Sequence, residues 1–285
     1  MAGPIVIGAS SAAALLKTTY DADFGLEPTE ESVAADWVSK PVGMTAIGNT
    51  LTLRKVKAFT ATKHTGASAG LPSNLTSAGN QEEAVTTTLS YAYVMVEIDE
   101  PVLTRLVDDG PYRNAIRKQI AAAVNSQVDA DILALAASLS HTESVADLDD
   151  ATYRSAVGQL STYAKNKFRL GKTPIKLFIH PSEVENALGI DAAKSYLIRG
   201  NQGTAPSGQL VTTYGINFEE SGNVYSNLGN YYNALTTKEA WAVGYNITPS
   251  SLPDQPDGVV TRMIFRAEYG VAEWFDSCGV AIITT

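Results

Sequence analysis

One cysteine in 285 residues, Cys278, leaves no partner for an intrachain disulfide and no basis for a cysteine-rich metal cluster. Histidine is nearly as scarce: His64, His141 and His180 stand far apart and supply no HExxH-type pair. Cations are in deficit, 21 Lys and Arg against 30 Asp and Glu, for a net charge of −9. That balance argues against a protein whose main task is gripping phosphates by charge attraction. No stretch comes close to the ~20 apolar residues of a membrane span, the run at 12–16 being far too short, and no basic leading segment marks a targeting signal. The expectation is a soluble chain in a reducing compartment. What the sequence does have is apolar material, 45% hydrophobic residues against 18% charged, enough to bury the core of one elaborate domain or two modest ones. Catalysis is already the less economical reading.

Five stretches differ in texture. Residues 1–44 form a sparse leader, with Asp21, Asp23, Glu27, Glu30, Glu31 and Asp36 against Lys17 and Lys40, and no sustained periodicity. Such a segment closes no core of its own. Residues 45–98 predict two strands, 51–60 and 85–98, in which apolar and polar positions largely alternate, joined by a tip of small and polar residues at 62–81. A lone hairpin buries too little area, so this one needs a neighbour to lie on. Over 99–140, Asp99, Glu100 and Pro101 give a helix start that Asp108, Asp109, Gly110 and Pro111 interrupt and restart. From there Ile116, Ile120, Ala123, Val124, Val128, Ile132, Leu135 and Leu139 recur at three- and four-residue spacing, one apolar stripe. At ~1.5 Å per residue a helix over 111–140 spans roughly 45 Å, the length of a structural beam.

Residues 147–246 read as an α/β unit. Asp149 and Asp150 cap a helix whose inner face is Tyr153, Val157, Leu160 and either Tyr163 or Ala164. Residues 174–180 have the texture of a buried strand, and Pro181 opens a short helix that His180 caps. Strands follow near 211–218, 234–236 and 241–245. The last stretch, 247–285, opens with a Pro/Ser/Asp linker and gives two closing strands, 259–274 and 279–285, as a terminal β-hairpin.

This order of parts resembles the tailed-phage major capsid protein of the HK97 type. The segments that carry the resemblance are residues 177–189 (LFIHPSEVENALG), 233–245 (NALTTKEAWAVGY) and 263–274 (MIFRAEYGVAEW). The resemblance covers nearly the whole chain, and its specificity lies in order and lengths together. It implies an α+β, HK97-like capsid fold with an N-terminal arm (1–44) and an extended hairpin, the E-loop (45–98). A peripheral domain with a long spine helix (99–146 and 247–285) and an axial α/β domain (147–246) complete it. The implied function is that of a shell subunit without a catalytic site or cofactor. It would assemble with itself into hexamers and pentamers of an icosahedral virion, around double-stranded DNA that it does not bind sequence-specifically. Assembly would take place in the host cytoplasm, away from any membrane, with portal and decoration proteins as further partners. No long charged helical leader precedes the arm, which implies a separate scaffold or none.

Arm and hairpin carry strand or apolar character that they cannot satisfy themselves, so they are expected to complete neighbouring copies by head-to-tail contacts. Candidate intersubunit contacts are Arg54, Lys55, Lys57 and Lys63, meeting Glu27, Glu30 and Glu31 of a neighbour's leader, each ion pair contributing ~0–1 kcal/mol. In some relatives a Lys–Asn isopeptide bond joins subunits, and Lys55, Lys57 and Lys63 are the lysines placed for one. The candidate core stripe of the spine is Ile116, Ile120, Val124, Val128, Ile132 and Leu135. Residues 99–148 hold four cations against eight acids, a surface that would not trap a genome.

Three rival readings remain. An encapsulin-like bacterial nanocompartment would share the fold and enclose an enzyme, and a decorating or tail protein would be a minor virion component. A serine hydrolase could be built on Ser68, because Gly66-Ala67-Ser68-Ala69-Gly70 matches G-x-S-x-G, with His141 or His180 downstream. A nucleophile elbow needs a helix leaving the serine. Leu71, Pro72 and Ser73 start none, so a small-residue hairpin tip is the simpler account.

Overall fold

The computed structural model describes residues 5–7, 32–41, 45–56, 82–99, 110–188, 216–257 and 259–285. In chain order the elements are β1 (Ile5–Ile7), α1 (Ala34–Trp37), β2 (Thr45–Ile47), β3 (Thr50–Val56), β4 (Glu82–Thr88) and β5 (Ser90–Asp99). The long helix α2 (Gly110–Leu133) runs on into a 3-10 turn (Ala134–Ser138) and is followed by β6 (Thr142–Val145), α3 (Asp150–Ala164), β7 (Ile175–Ile179) and α4 (Val184–Leu188). The chain ends with β8 (Ile216–Glu220), β9 (Ser226–Asn227), β10 (Asn230–Thr237), β11 (Trp241–Ser251), β12 (Gln255–Asp257), β13 (Val260–Glu273) and β14 (Gly279–Thr284).

Among the described residues the strands form three sheets. The first runs β1-β5-β13-β11 with β12 on β13, the second β6-β14-β10-β7-β8 with β9 on β10, and the third β2-β3-β4. Strands are rich in β-branched and aromatic residues, and in the second sheet β7 and β14 read as near-continuous apolar runs because they are covered: Leu177, Phe178, Ile179, Val280 and Ile282 are all fully buried. One large core takes in this sheet, α3 and the second half of α2, with Tyr153, Leu160 and Trp241 at its centre. A smaller cluster of Val96, Ile98, Tyr112, Ile120 and Met263 fastens the first half of α2 to the first sheet.

Two expectations about strand pairing change. The alternating run over 85–98 is two strands, not one: β4 pairs with β3 in the third sheet, whereas β5 pairs with β13 in the first. The break falls at Leu89, whose N–H donates to the Asn49 carbonyl while its side chain is buried. The closing strands are also not a hairpin with each other. β13 pairs with β11, and β14 with β10 on one side and β6 on the other. β10 leads through a short turn into β11 just where β13 leads into β14, so a single antiparallel ribbon, 230–251 against 260–284, passes from one sheet into the other. At the crossing the N–H groups of Trp274 and Phe275 both donate to the Ala240 carbonyl, at 2.8 and 3.1 Å. Period-two alternation reports that a strand is half-covered, not which sheet covers it.

The long helix spans 110–133, shorter by its last turns than the predicted 111–140, because the chain tightens into 3-10 geometry at Ala134. Of its stripe, Ile120, Val124, Val128, Ile132 and Leu139 are buried, Ile116 and Leu135 half-buried, and Ala123 exposed. The helical run 112–138 contains an 18-residue window of mean hydropathy 1.3, long and apolar enough to cross a membrane by length and composition, contrary to the reading from runs alone. In this fold the apolar stripe faces the protein's own core.

Asp149 caps α3 as expected, accepting from the Thr152 N–H at 2.7 Å and the Thr152 hydroxyl at 2.6 Å. Those bonds, the hydroxyl's first, hold its carboxyl below the usual value. A carboxyl depressed by folding stabilises the fold above its unfolded value near 4 and loses that contribution as the pH falls through the lower folded value. Asp149→Ala should therefore cost about 1 kcal/mol at neutral pH, with the difference from the parent fading in melts below about pH 4. On the inner face of α3, Tyr153, Val157, Leu160 and Ala164 are buried, while Tyr163 is exposed. His180 caps the turn at Pro181, its Nδ1 accepting from the Ser182 N–H at 3.2 Å.

Candidate assembly interface

Two features of the sequence, the leader and the hairpin, are anchored on the same body at opposite edges of the first sheet or on its face. The root of the hairpin is the β3–β4 pair. Leu51 and Leu53 point down into a cluster with Leu89, Ala242, Ala272 and Trp274, while Arg54 and Val56 are exposed. The sheet surface beneath is flattened at Gly270: a Cβ there would meet Thr87 Cγ2 at 2.6 Å and Leu51 Cδ2 at 3.1 Å. Only a residue without a side chain lets β4 and β3 lie this close. The Thr87 hydroxyl donates to the Val271 carbonyl at 2.7 Å, pinning the hairpin one residue further along.

Lys55 completes the root. Its side chain is 13% exposed and lies 3.6 Å from Glu83, with the ammonium donating to the Trp274 carbonyl at 2.9 Å. The same ammonium sits 5.0 Å from the Phe275 ring centroid. Lys55 is thus engaged within its own chain, at the crossing of the ribbon. Arg54, one residue earlier, turns to the outside opposite Ala84. Lys57, Lys63, Glu27, Glu30 and Glu31 lie outside the described residues, as does Ser68. Close to the root, burial and the neighbouring Asp276 raise the Glu273 carboxyl above the usual range, and the Ser138 hydroxyl donates to it at 3.2 Å.

The leader is held by a residue that sequence reading missed. Asp129, on α2, is fully buried, and its carboxylate accepts from the Ser32 hydroxyl at 3.1 Å, the Val33 N–H at 2.7 Å and the Ala35 N–H at 2.8 Å. A side chain from almost a hundred residues away therefore does the capping of α1. Past that helix, the Ser39 N–H donates to Trp241 and its carbonyl accepts from Val243, which adds one residue to the open edge of β11. At the other edge β1 pairs in parallel with β5, Ile5 opposite Val96. The only sequence signal for Asp129 was a pair of acids, Asp129 and Asp131, set between Val128 and Ile132 of the apolar stripe.

Two of the spine's cations are used internally, Arg113 and Arg117 both bonding Asp254, at 3.1 and 2.8 Å; on β13, Arg262 pairs with Glu97 and Asp257 at 2.7 and 2.9 Å. The two histidines of the rejected triad are engaged elsewhere, His141 stacked on Tyr163 at 3.7 Å and His180 on Tyr231 at 3.9 Å. No group of His, Cys, Asp and Glu among the described residues could hold a metal. Trp241 and Trp274 are buried packing anchors, and Trp37 packs half-buried against the main core.

No protein-family model matches the sequence, and no curated protein matches it. Solved structures do, along almost the full chain. The capsid of cyanophage P-SCSP1u superposes with a TM-score of 0.67 at 11% identity, over 94% of this chain and 92% of that one. The capsid of Ralstonia phage GP4 gives 0.66 at 10%, over 93% and 94%. A Mycobacterium phage Che8 structure gives 0.63 at 17%, over 92% and 95%. The chain has the α+β, HK97-like capsid fold.

Proposed function

We propose that this chain is the major capsid protein of a tailed bacteriophage, a non-catalytic subunit that assembles with itself into the hexamers and pentamers of an icosahedral shell around packaged double-stranded DNA. The observation that carries the reading is the extent of the likeness: it runs over more than nine-tenths of both chains for phage capsids that share little sequence with this one. The geometry agrees with it. Arm and hairpin have tightly built roots, which is what parts need if they are to reach a neighbour from a fixed angle. Residues 1–44, 45–98, 99–146 with 247–285, and 147–246 serve as arm, E-loop, peripheral and axial parts. Arg54, on the outward side of the hairpin root, takes the acidic leader of the next copy. Arg113 and Arg117 are already paired within the chain, so packaged DNA is enclosed without being gripped. Portal and decoration proteins, with a separate scaffold or none, complete the partners in this reading, and assembly takes place in the host cytoplasm.

Obligate contacts of this class bury ~2,000–5,000 Å² per pair. Purified chain, concentrated stepwise and followed by sedimentation and negative-stain electron microscopy, should pass from small species to rings or hollow shells. A monomer of constant size over the whole concentration range overturns the reading. Shells that carry a bound enzyme from the source cell rather than DNA would assign the same fold to a nanocompartment.

A further inference from the structure

Asn227 and Asn230 pair across a turn of two residues, Leu228 and Gly229, which join β9 to β10. Both have positive φ, 53° and 90°. Two left-handed residues in succession make a type I′ turn, whose first position is normally Asn, Asp or Gly. A leucine there crowds its Cβ against the next carbonyl and has no side-chain polar group to bond the backbone in return. Leu228 is also 96% exposed, the most exposed of the large hydrophobic side chains among the described residues. The isolated chain is disfavoured twice by this residue, in backbone strain and in wetted apolar surface.

The frame around the turn is stiff. Asn223 is tied to α2, where the Ser126 hydroxyl donates to it at 3.1 Å. The Tyr232 N–H donates to the Tyr225 carbonyl at 2.9 Å, and their rings lie 5.2 Å apart. β10 itself is the middle strand of the second sheet. A leucine on a rigid stalk is an apolar knob.

We propose that Leu228 is an assembly contact that seats on apolar surface of a second copy of this chain; the proposal rests on the shell-subunit reading. The occupant follows from charge and topology. Copies that each carry a net −9 repel one another, so their association needs apolar contacts that charge does not oppose. β10 runs antiparallel to β7, with Ala234 opposite Phe178 and Thr237 opposite Ile175. The Leu228 turn therefore lies beyond the end of β7, while Leu170, itself 60% exposed, lies ahead of its start. One exposed leucine thus stands beyond the end of β7 and another in the turn that leads into its start, two different apolar points of the kind a head-to-tail arrangement of copies can use.

The test separates strain from contact. Leu228→Asn relieves the turn, so the dilute variant should melt about 1–3 °C higher than the parent. Losing the leucine's contact in the assembly should meanwhile raise the concentration needed for assembly about tenfold or more. Leu228→Met, which keeps an apolar knob, should assemble near the parental concentration. Because Cys278 is buried and is the only natural cysteine, Leu228→Cys labelled with a photoreactive maleimide should give a crosslinked dimer band from assembled material. An Asn variant that assembles at the parental concentration, one that loses stability and assembly together, or a label that yields no dimer each overturns the proposal while leaving the shell reading intact. A parent that never assembles overturns both.

Discussion

Asp129→Ala is expected to destabilise the protein by about 2–4 kcal/mol and to release the leader from the body. The carboxylate is fully buried and answers two backbone N–H groups and a hydroxyl. Removing it leaves those donors in a cavity without a partner, and an abandoned buried donor costs more than the bond it made. Urea melts measure the first effect. Limited proteolysis measures the second, because cleavage near residues 32–41 should quicken well before the rest of the chain is attacked. Asp129→Asn is the sharper control: it keeps the volume and one acceptor oxygen, so its loss should be smaller. Equal proteolysis of parent and alanine variant would show that the leader is held by the Ser39 bridge to β11 instead.

Gly270→Ala is expected to cost about 1–3 kcal/mol and, more tellingly, to shift the hairpin. A methyl at this position meets the stiff β-branched Thr87 at 2.6 Å, and overpacking of this kind is relieved only by moving a backbone. The two pairs that register the shift are the Thr87 hydroxyl on Val271 and the Lys55 ammonium on Trp274. If the segment beyond this root contacts a neighbour, as the shell-subunit reading has it, a small rotation at the root displaces that contact. Assembly should therefore fall further than stability does. A variant that melts lower yet assembles at the parental concentration would uncouple the root from the interface.

Much of the fold was legible in the residues. The spine stripe, the Asp149 and His180 caps and the buried strand at 175–179 all follow from local rules: periodicity of three and four, a polar side chain before a helix, Pro at a first turn. What local rules do not contain is pairing. The run 85–98 has one uninterrupted alternation and still feeds two sheets, because Leu89 turns inward to a bond with Asn49 that lies forty residues back. The closing strands likewise satisfy a hairpin pattern, but β10 and β6 offer β14 a covered position that β13 could not. The candidate contacts show the same limit. Arg54 and Lys55 are neighbours of one charge, and only the pleat decides that one faces outward while the other is drawn under Trp274.

The ribbon that passes through both sheets has a mechanical consequence. Where two halves of a molecule are joined by flexible connectors, a pull on one half stretches the connectors and opens the seam bond by bond. Here two paired strands continue across the seam, so tension along them loads the rungs of the ladder side by side, all at once. Such a body transmits force instead of yielding to it, and at the seam the bonds from Trp274 and Phe275 to Ala240 keep the ribbon closed. In the shell-subunit reading, a wall of such units would carry pressure from within through these ladders loaded in shear.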